Sequence, residues 1–492
     1  MQIKNRHVIP APLLSLLLIF LLVSCKEKAV LEKPRPNVLF IAIDDLNNDL
    51  GVLGVDHVHT PHLDEFAGES RLFSRHYIQV PSCGPSRAAL LRGKRPTDDA
   101  FIPNSAILNT HEEWGSRSLP RLFRDNGYTT MALGKITHYP GGMAGAGWAE
   151  APEELPGAWD RVWVPEDTPW ETPQDMMHGY ANGVPRDRGS SFHEGSPAWE
   201  AYDGPDTSYP DGWVADEAIK VLEDLSRSDD PWFFGVGFFK PHLPFAAPEK
   251  YFDLYDLQDM PVPPDTLSHP PPSSWHSSNE MFISYGQHPG HPQTDDAYAR
   301  QLRLAYAAST SYADAQVGKV LRAFKRLGLD ENTIVVIWSD HGFALGHQGI
   351  WGKHSLYEVS LRSPLMIRYP GMERPGEISD AIVETVDVYP TLTDLAGLQA
   401  PPGLHGNSLR PQLDDPGLPS AKPAFSFRGG GQNSVRTDEW RLIMHRKGDE
   451  IEGYELFDFR GNSEGIRRNP GEYPTVVGEL SGHIHALPWI AR

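Results

Sequence analysis

A set of continuous apolar, β-branched runs constrains the fold more than any other feature of the sequence. The first run extends from Pro36 to Ile43 and stops at the acidic pair Asp44-Asp45. Such a run is typical of a strand buried on both faces of a parallel sheet, because it has no polar face. Further runs cover Thr129 to Leu133, Trp232 to Phe239, Thr333 to Trp338 and Pro364 to Arg368.

Amphipathic stretches between the apolar runs predict helices over Ser118 to Asn126, Val214 to Leu225 and Leu302 to Leu327. Strands and helices that alternate at this spacing predict an α/β fold with a large, doubly wound, mostly parallel sheet. After Pro423 the sequence changes to short alternating runs, which predict a small antiparallel α+β domain. We therefore expect a main domain over residues 36–423 and a C-terminal domain over residues 424–492.

The N-terminal segment has the pattern of an export signal. Its apolar run, Leu13 to Val23, is shorter than the ~20 residues that span a bilayer. Leu22-Val23-Ser24-Cys25 resembles a bacterial lipobox, which implies a lipoprotein signal peptide over residues 1–24 and a lipid anchor on Cys25. Residues 25–35 would then be a charged tether between the membrane and the fold. We expect an exported, membrane-anchored lipoprotein, periplasmic or at the cell surface; an ordinary signal peptide ending at Cys25 is the alternative.

The charge balance limits the partners of the protein. With 44 basic and 65 acidic residues, the formal net charge is −21 at pH 7. This charge disfavours nucleic acid and anionic lipid as general partners, because both are polyanions. An anionic substrate therefore requires a local cationic pocket.

The chain contains only two cysteines, Cys25 and Cys83. If Cys25 carries a lipid, Cys83 has no partner for a disulfide. A free thiol in an oxidising compartment is liable to oxidation unless it is buried or chemically converted. We therefore interpret Cys83 as the precursor of a nucleophile.

Polar side chains follow the apolar runs directly. In a doubly wound sheet the carboxyl ends of the strands meet along one edge, where active sites lie. We expect the side chains at these positions to form one site. They are Asp44 and Asp45, Lys135 and His138, Lys240 and His242, and Asp340 and His341.

Three carboxylates and one imidazole in this set predict a metal site. Each follows a fully buried strand, where adjacent carboxylates would repel each other without a cation. Oxygen ligands favour Ca²⁺ or Mg²⁺, whereas the imidazole leaves Mn²⁺ and Zn²⁺ open. We expect Ca²⁺, with Mg²⁺ as the alternative. The predicted ligands are Asp44, Asp45, Asp340 and His341.

Cationic side chains in the same segments predict an oxyanion site. Together with a metal ion they would bind a tetrahedral oxyanion ester and withdraw charge from its non-bridging oxygens. His138 and His242 titrate near neutral pH and would move protons, although a structural role is the alternative for His242. The predicted cations are Arg87, Lys135, Lys240 and Lys353.

The segment around Cys83 resembles the signature of the type I sulfatases. It consists of Cys83-Gly84-Pro85-Ser86-Arg87 followed by Leu91-Arg92-Gly93-Lys94. The resemblance implies that a formylglycine-generating maturation enzyme oxidises Cys83 to formylglycine. Arg92 stands where Thr is usual and Lys94 where Arg is usual, beyond the Cys-x-Pro-x-Arg core. Other segments resemble the same family: Ile43 to Asp45, Gly134 to His138, Phe239 to His242, and Ser339 to Gly342 running on to Gly352 to His354. The last two of these most resemble its iduronate-2-sulfatase branch.

This resemblance implies an alkaline-phosphatase-like fold and a two-step reaction. The hydrated aldehyde at position 83 has two hydroxyls. One joins the four predicted metal ligands and attacks sulfur, so Cys83 is expected to become both nucleophile and metal ligand. The second hydroxyl loses its proton with help from His138, and the aldehyde re-forms as sulfate leaves. Arg87 and Lys135 would hold the hydrate. Sulfate binding and protonation of the leaving oxygen would be the tasks of Lys240, His242 or Lys353.

We therefore expect hydrolysis of a sulfate ester on a sulfated saccharide. The likeness to the iduronate branch suggests a uronic acid 2-O-sulfate, although a fold and a motif do not determine the substrate. A phosphomonoester or phosphonate hydrolase of the same superfamily is an alternative, since the pocket would accept any tetrahedral oxyanion ester. A non-catalytic lipoprotein that binds sulfated glycans and keeps Cys83 as a thiol is a second alternative, against which the set of proton donors argues.

Overall fold

The apolar runs of the sequence lie as strands in an eight-stranded sheet. The computed structural model describes residues 35–145, 147–149, 151–166, 168–183, 196–262, 269–285 and 288–490. The predicted signal peptide, Cys25 and the tether up to residue 34 lie outside these ranges. Within them, the helices are all too short or too polar to cross a membrane.

Strands and helices alternate along the described residues. The strands are β1 Asn37–Ile43, β2 Arg71–Tyr77, β3 Thr129–Gly134, β4 Arg161–Trp163, β5 Trp199–Tyr202, β6 Trp232–Phe238, β7 Phe245–Pro248, β8 Thr333–Ser339, β9 Ala344–Leu345, β10 Trp351–Gly352, β11 Leu365–Arg368, β12 Ser379–Glu384, β13 Ala424–Arg428, β14 Gln432–Arg436, β15 Trp440–Lys447, β16 Glu450–Asp458 and β17 Ile466–Arg468. The helices are α1 Pro61–Ala67, α2 Cys83–Arg92, α3 Ala106–Trp114, α4 Leu119–Asp125, α5 Pro173–His178, α6 Pro210–Leu225, α7 Glu249–Phe252, α8 Asp296–Arg326, α9 Glu358–Leu361, α10 Val388–Leu395, α11 Arg410–Asp414 and α12 Pro474–His485.

The main sheet has the strand order β12-β2-β11-β8-β1-β6-β3-β4. Its centre, β8-β1-β6-β3, is parallel throughout, whereas β11 runs antiparallel to both of its neighbours. All residues of β6 and β8 are buried, as expected for strands covered on both faces. The predicted doubly wound, mostly parallel α/β sheet is therefore confirmed.

Helices pack on both faces of this sheet. Successive residues of a strand point to opposite faces, so β1 contributes to two separate cores. Ile41 belongs to the core that contains Val214 of α6 and Val317 of α8. Phe40 belongs to the other core, with Phe123 of α4 on the opposite face. The predicted helices over 118–126, 214–225 and 302–327 correspond to α4, α6 and α8.

Two helices start earlier than the amphipathic pattern predicts, for reasons of capping. Pro210 opens α6, where its missing N–H costs nothing. Asp295 caps α8, since its carboxylate accepts a hydrogen bond from the Tyr298 backbone N–H at 3.1 Å. Helix α2 was not predicted at all.

A second sheet, β13-β14-β15-β16-β17, is antiparallel and five-stranded. It confirms the predicted small antiparallel sheet, and it begins at Ala424. Its residues Ile443 and Phe457 share a hydrophobic cluster with Tyr77 and Leu361 from the main part of the chain. Residues from Arg35 onward form one compact unit, so the division into domains at residue 423 remains a prediction.

Glu384, the last residue of β12, connects the main sheet to the start of the second sheet. Its carboxylate accepts hydrogen bonds from the Phe425 backbone N–H at 3.0 Å and from the Arg95 guanidinium, and Lys422 Nζ lies 3.1 Å away. Burial by itself would raise the pKa of Glu384, but Arg95 and Lys422 lower it to about 2. This carboxylate is therefore ionised wherever the protein is folded at ordinary pH.

We expect Glu384→Gln to lower the free energy of unfolding by roughly 3 kcal/mol at neutral pH, since it leaves the buried Arg95 without its partner and removes one of the two carboxylates that contact Lys422. The folded-state pKa, about 2, lies below the usual value of 4.5. The stabilisation by the ionised carboxylate is therefore present above about pH 4.5 and is lost as the pH falls towards 2. Urea unfolding of both proteins as a function of pH measures this difference.

Glu223→Gln is the matched control, because Glu223 pairs with the exposed Arg326 at 3.3 Å. Its cost should be about 1 kcal/mol or less. A Glu384→Gln protein as stable as the control at neutral pH would contradict the argument.

Candidate active site

The site lies at the carboxyl ends of the four central parallel strands. Asp44 and Asp45 follow β1, Lys135 follows β3, and Asp340 with His341 follows β8. Because these strands are neighbours, residues far apart in sequence come together at one edge. All of these side chains are buried.

Cys83 is the first residue of α2 and is only 1% exposed. Its Sγ lies 3.2 Å from His341 Nε2, 3.4 Å from Lys353 Nζ and 3.8 Å from Asp45 Oδ1. The next residue must be glycine, since a Cβ at Gly84 would lie 2.1 Å from the backbone oxygen of Asn104. The chain therefore packs tightly just where it presents residue 83 to the other site residues.

Four groups could hold a metal ion together. The ligand atoms of Asp44, Asp45, Cys83 and His341 all lie within 4.8 Å of one another. The fifth predicted ligand, Asp340, is adjacent: its Oδ1 accepts the Asp45 backbone N–H at 3.1 Å and lies 3.8 Å from His341 Nε2. This oxygen-rich set with one imidazole fits a hard divalent cation.

The three carboxylates differ in their charge balance. Burial would raise the pKa of Asp44, but Lys135, His242 and Arg87 hold it well below the usual range. Burial raises the pKa of Asp45, and it raises that of Asp340 to about 6, helped by the negative charge of Asp44. A divalent cation would stabilise the ionised forms of Asp45 and Asp340, because it adds positive charge beside them.

Arg87 and Lys135 lie beneath the metal ligands and do not line the cavity described below. Arg87 Nη2 lies 3.1 Å from Asp44 Oδ1, and its Nε lies 2.9 Å from Asp340 Oδ2. Lys135 Nζ donates to the other oxygen of Asp44. In this structure both cations therefore orient the carboxylates beside residue 83. Their predicted contact with the hydrated aldehyde remains a prediction.

A cavity of about 550 Å³ opens above Cys83. Four predicted site residues line it: Cys83, His138, His242 and Lys353. Other lining residues were missed by the sequence analysis, among them Asn104, Tyr139, Gln174, His178, Glu280 and His354. Three of these, Asn104, Tyr139 and His354, lie outside helices and strands, and the other three lie in short helical segments. None belongs to a long periodic stretch, so only their residue types could have drawn attention to them.

Lys353 connects the metal ligands with the cavity. Its Nζ lies 3.0 Å from Asp45 Oδ2 and 3.3 Å from Glu280 Oε1. Glu280 Oε1 also lies 3.5 Å from His242 Nε2, while its Oε2 is buried without a hydrogen-bond partner among the described residues. Glu280 therefore supplies a carboxylate between the two cavity residues that were predicted to bind sulfate.

Lys240 is placed differently from the other predicted cations. Its Nζ donates to the carbonyl oxygens of His242 at 3.2 Å and Pro244 at 2.8 Å. It is not among the residues that line the cavity. Burial lowers the pKa of Lys240 to about 8. In this structure Lys240 holds the loop that carries His242, and its predicted contact with sulfate remains a prediction.

The two predicted proton-transfer residues are uncharged imidazoles in this environment. Burial and the cation Lys135 lower the pKa of His138 well below its usual value. Burial and Lys353 do the same for His242. Within the described part of the chain, His138 Nδ1 has no hydrogen-bond partner.

Comparisons with known proteins cover most of the chain. A model of the family "Sulfatase" matches residues 36–398, and one described as "N-sulphoglucosamine sulphohydrolase, C-terminal" matches residues 346–481. A sulfatase of Formosa agariphila is 32% identical over 457 residues, which cover 88% of this chain and 84% of that protein. Iduronate 2-sulfatase of Homo sapiens is 32% identical over 410 residues, 74% of this chain and 70% of that protein. A phosphonate monoester hydrolase from Silicibacter pomeroyi has a similar structure, with a TM-score of 0.72 and 26% identity over 92% of this chain and 94% of that chain.

We expect the protein to bind Ca²⁺ and the Asp45→Asn variant to bind it at least about 100-fold more weakly, because the variant loses a charged oxygen at the centre of the set. Isothermal titration calorimetry of metal-free protein, with Ca²⁺ and then with Mg²⁺, measures this. Asp229→Asn, a change at an exposed acid, is the control. Equal Ca²⁺ affinity in both variants would exclude Asp45 as a ligand.

Proposed function

This chain belongs to the sulfatase family, and we propose that it hydrolyses a sulfate ester of a sulfated saccharide, with formylglycine formed from Cys83 as the nucleophile. Membership makes it a sulfate ester hydrolase; the nucleophile, the metal and the sugar are the proposal. The observation that carries it is the position of Cys83, at the start of α2, between the candidate metal ligands and the cavity.

The surroundings of Cys83 support its conversion. Burial and the charge of Asp44 raise the pKa of the thiol well above its usual value. A thiol in this environment stays protonated at neutral pH and is a poor nucleophile. Formylglycine, as the aldehyde hydrate, would supply one hydroxyl to attack sulfur and a second from which the aldehyde re-forms as sulfate leaves.

The cations of the cavity would bind the sulfate group. Lys353 Nζ lies 3.4 Å from Cys83 Sγ. Burial lowers the pKa of Lys353, but Asp45 outweighs this effect and raises it well above the usual value, so the side chain stays charged. A charged ammonium beside the nucleophile would neutralise the sulfate oxygens as negative charge develops on them. Lys353 and His242 would have to break their contacts with Glu280 in order to bind the sulfate group.

The two imidazoles would share the proton transfers. In the neutral ring the proton of His242 is on Nδ1, 2.6 Å from the Leu243 carbonyl oxygen, so His242 must first take a second proton, which the bound sulfate group would favour. Its Nε2 would then donate that proton to the leaving sugar oxygen when the sulfur–oxygen ester bond breaks. His138 is held neutral and lines the same cavity, so it would take the proton of the second hydroxyl. Arg87 and Lys135 would keep the carboxylates beneath residue 83 in place.

A divalent cation would be held by Asp44, Asp45, His341 and residue 83, with Asp340 beside them. It would supply Lewis acidity to the nucleophile and the sulfate ester, and we propose Ca²⁺, with Mg²⁺ as the alternative. The three carboxylates are matched in number by Arg87, Lys135 and Lys353. A metal ion would therefore leave a net positive site, which suits a sulfate group.

The proposed substrate is a uronic acid 2-O-sulfate within a sulfated saccharide. The similarity to human iduronate 2-sulfatase over 74% of this chain supports this choice. A phosphonate or phosphomonoester hydrolase is the second candidate, supported by the structural similarity to the phosphonate monoester hydrolase. Both ester classes present a tetrahedral oxyanion to the same cations.

We expect the tryptic peptide His76–Arg87 of protein made in its own host to carry an aldehyde at position 83, detected by mass spectrometry. Cys83→Ala should lower the rate of sulfate release roughly 10⁴-fold or more, because the nucleophile is lost. Cys83→Ser keeps one hydroxyl, so it should release at most one equivalent of the sugar alcohol and retain the sulfate as an ester of the serine. An unmodified thiol in protein that turns over steadily would refute the proposal.

The relative rates at which the protein hydrolyses matched esters distinguish the two candidate ester classes. Aryl sulfate should be hydrolysed faster than the matched aryl phosphate and phenylphosphonate esters, and a disaccharide with a 2-O-sulfated uronic acid faster than one sulfated only on its amino sugar. Faster hydrolysis of the phosphonate ester would favour the second candidate.

We also propose that the protein is an exported lipoprotein, anchored through Cys25 and made active by a maturation enzyme. The lipobox resemblance supports the anchor. Wild-type protein should partition into the detergent phase of Triton X-114, and Cys25→Ala into the aqueous phase. Cys83→Ala is the matched cysteine control and should stay with the detergent. Aqueous partitioning of the wild type would contradict the anchor.

A further inference from the structure

A second cationic cavity lies at the opposite end of the helix that carries Cys83. It has a volume of about 120 Å³ and is separate from the active-site cavity, with which it shares no lining residue. Helix α2 places its last residue about 15 Å from its first. The cavity is lined by Arg92, Lys94, Arg117, Glu113, Phe101 and Trp114, and by apolar residues of the segment 401–404.

Arg92 is the buried member of this set, with 8% exposure. Its guanidinium carbon lies 3.4 Å from the centre of the Phe101 ring and 6.0 Å from that of Trp114. The rings attract the charge, but they are poor acceptors for its five N–H groups. Within the described ranges, Nε is buried with no hydrogen-bond acceptor. The Nε–H is therefore a buried donor without an acceptor, and an anion in the cavity would satisfy it.

Lys94 and Arg117 bring two more cations to the same cavity. Neither they nor Arg92 form an ion pair with any residue that the structure describes. Burial and the two neighbouring arginines lower the pKa of Lys94, which shows mutual repulsion. Glu113, an exposed residue, is the acid that shares the cavity. The lining thus has three cations against one acid, in a chain with a formal net charge of −21.

Two ordinary explanations account for only part of this arrangement. A cation in the last turn of a helix is favourable, which explains an arginine at position 92. Solvation explains an exposed arginine at position 117. Neither explains why three cations converge on one cavity or why the Arg92 Nε–H has no acceptor there.

We propose that this cavity is an oxyanion site, in which Arg92, Lys94 and Arg117 bind one tetrahedral dianion, a sulfate or phosphate group. The volume corresponds to about four water molecules, which is room for one such group and some water. A planar guanidinium can donate two parallel hydrogen bonds to adjacent oxygens of the group, and the ammonium can neutralise a third. The net charge of the lining, +2 with all groups ionised, matches the dianion.

The proposed site depends on residues that differ from those usual in the signature. Arg92 and Lys94 stand at the two positions where the segment after Cys83 departs from the residues usual in the signature, Thr and Arg. Thr at position 92 would leave the cavity without its buried guanidinium. The anion has two sources in the reaction of a sulfatase: another sulfate group of the saccharide, or the sulfate that is released.

The test uses Cys83→Ala protein, so that binding is measured without turnover and independently of the proposed nucleophile. Crystals soaked in selenate, a tetrahedral dianion with an anomalous signal, should show a peak between Arg92, Lys94 and Arg117. Isothermal titration with sulfate at constant ionic strength should show binding that Arg92→Thr weakens about tenfold or more. The double variant Lys94→Gln/Arg117→Gln, which changes only the less buried cations, covers the case in which Arg92→Thr does not fold.

Arg227→Gln is the control, because Arg227 is an exposed cation paired with Asp224 at 3.0 Å. It should leave the sulfate affinity unchanged. Equal affinity in wild type and in both site variants would overturn the proposal. So would a selenate peak without any loss of affinity in solution, since this would mean binding at crystal concentration only.

Kinetics with the Cys83-containing enzyme then distinguishes the two sources. If the site binds a further sulfate group of the saccharide, Lys94→Gln/Arg117→Gln should raise KM for a sulfated hexasaccharide and leave kcat and the KM of a disaccharide unchanged. If it binds released sulfate, both KM values should stay the same and only the affinity for sulfate should fall. Either result supports the oxyanion site.

Discussion

Buried charge at the carboxyl edge of the main sheet is the constraint on which the rest of the structure depends. Asp44 and Asp340 follow neighbouring parallel strands and have no exposed surface, so each carboxylate needs a partner inside the protein. Arg87 serves both, with a different nitrogen for each. Arg87 lies on α2 one turn after Cys83, so the ion pairs that neutralise the carboxylates also determine where residue 83 lies.

The same constraint explains how an acidic protein can receive an anionic group. Around residue 83, Arg87, Lys135 and Lys353 each contact a carboxylate, and Lys353 also lines the cavity, where it contacts Asp45 and Glu280. The charges are therefore neutralised locally, and a divalent cation would add the positive charge that attracts sulfate. The cavity beside Arg92 is built differently, because its three cations form no ion pair with a carboxylate of the residues that the structure describes, although Glu113 shares the lining. Helix α2 thus connects the two sites that we propose for oxyanions.

Hydrophobic pattern explains which parts of the fold could be predicted. The central strands are continuous apolar runs, and α4, α6 and α8 are amphipathic, so both left clear signals in the sequence. Helix α2 left no such signal, since all of its residues are buried and it has no polar face. The site residues at strand ends were predicted because a polar residue after an apolar run marks the edge of the sheet. Glu280, His178 and Asn104 were not, because they lie in segments whose path depends on distant contacts.

The sequence by itself determined the class of the fold, the strand-end acids and bases, and the nucleophile candidate, because each of these is encoded in residues close together along the chain. Only the tertiary structure decided which charges meet. It placed Lys240 on the backbone of its own loop, Glu280 between Lys353 and His242, and Arg92 in a cavity with Lys94 and Arg117. The physical reason is that pairing and burial depend on how the whole chain folds back on itself, and no local pattern specifies that path.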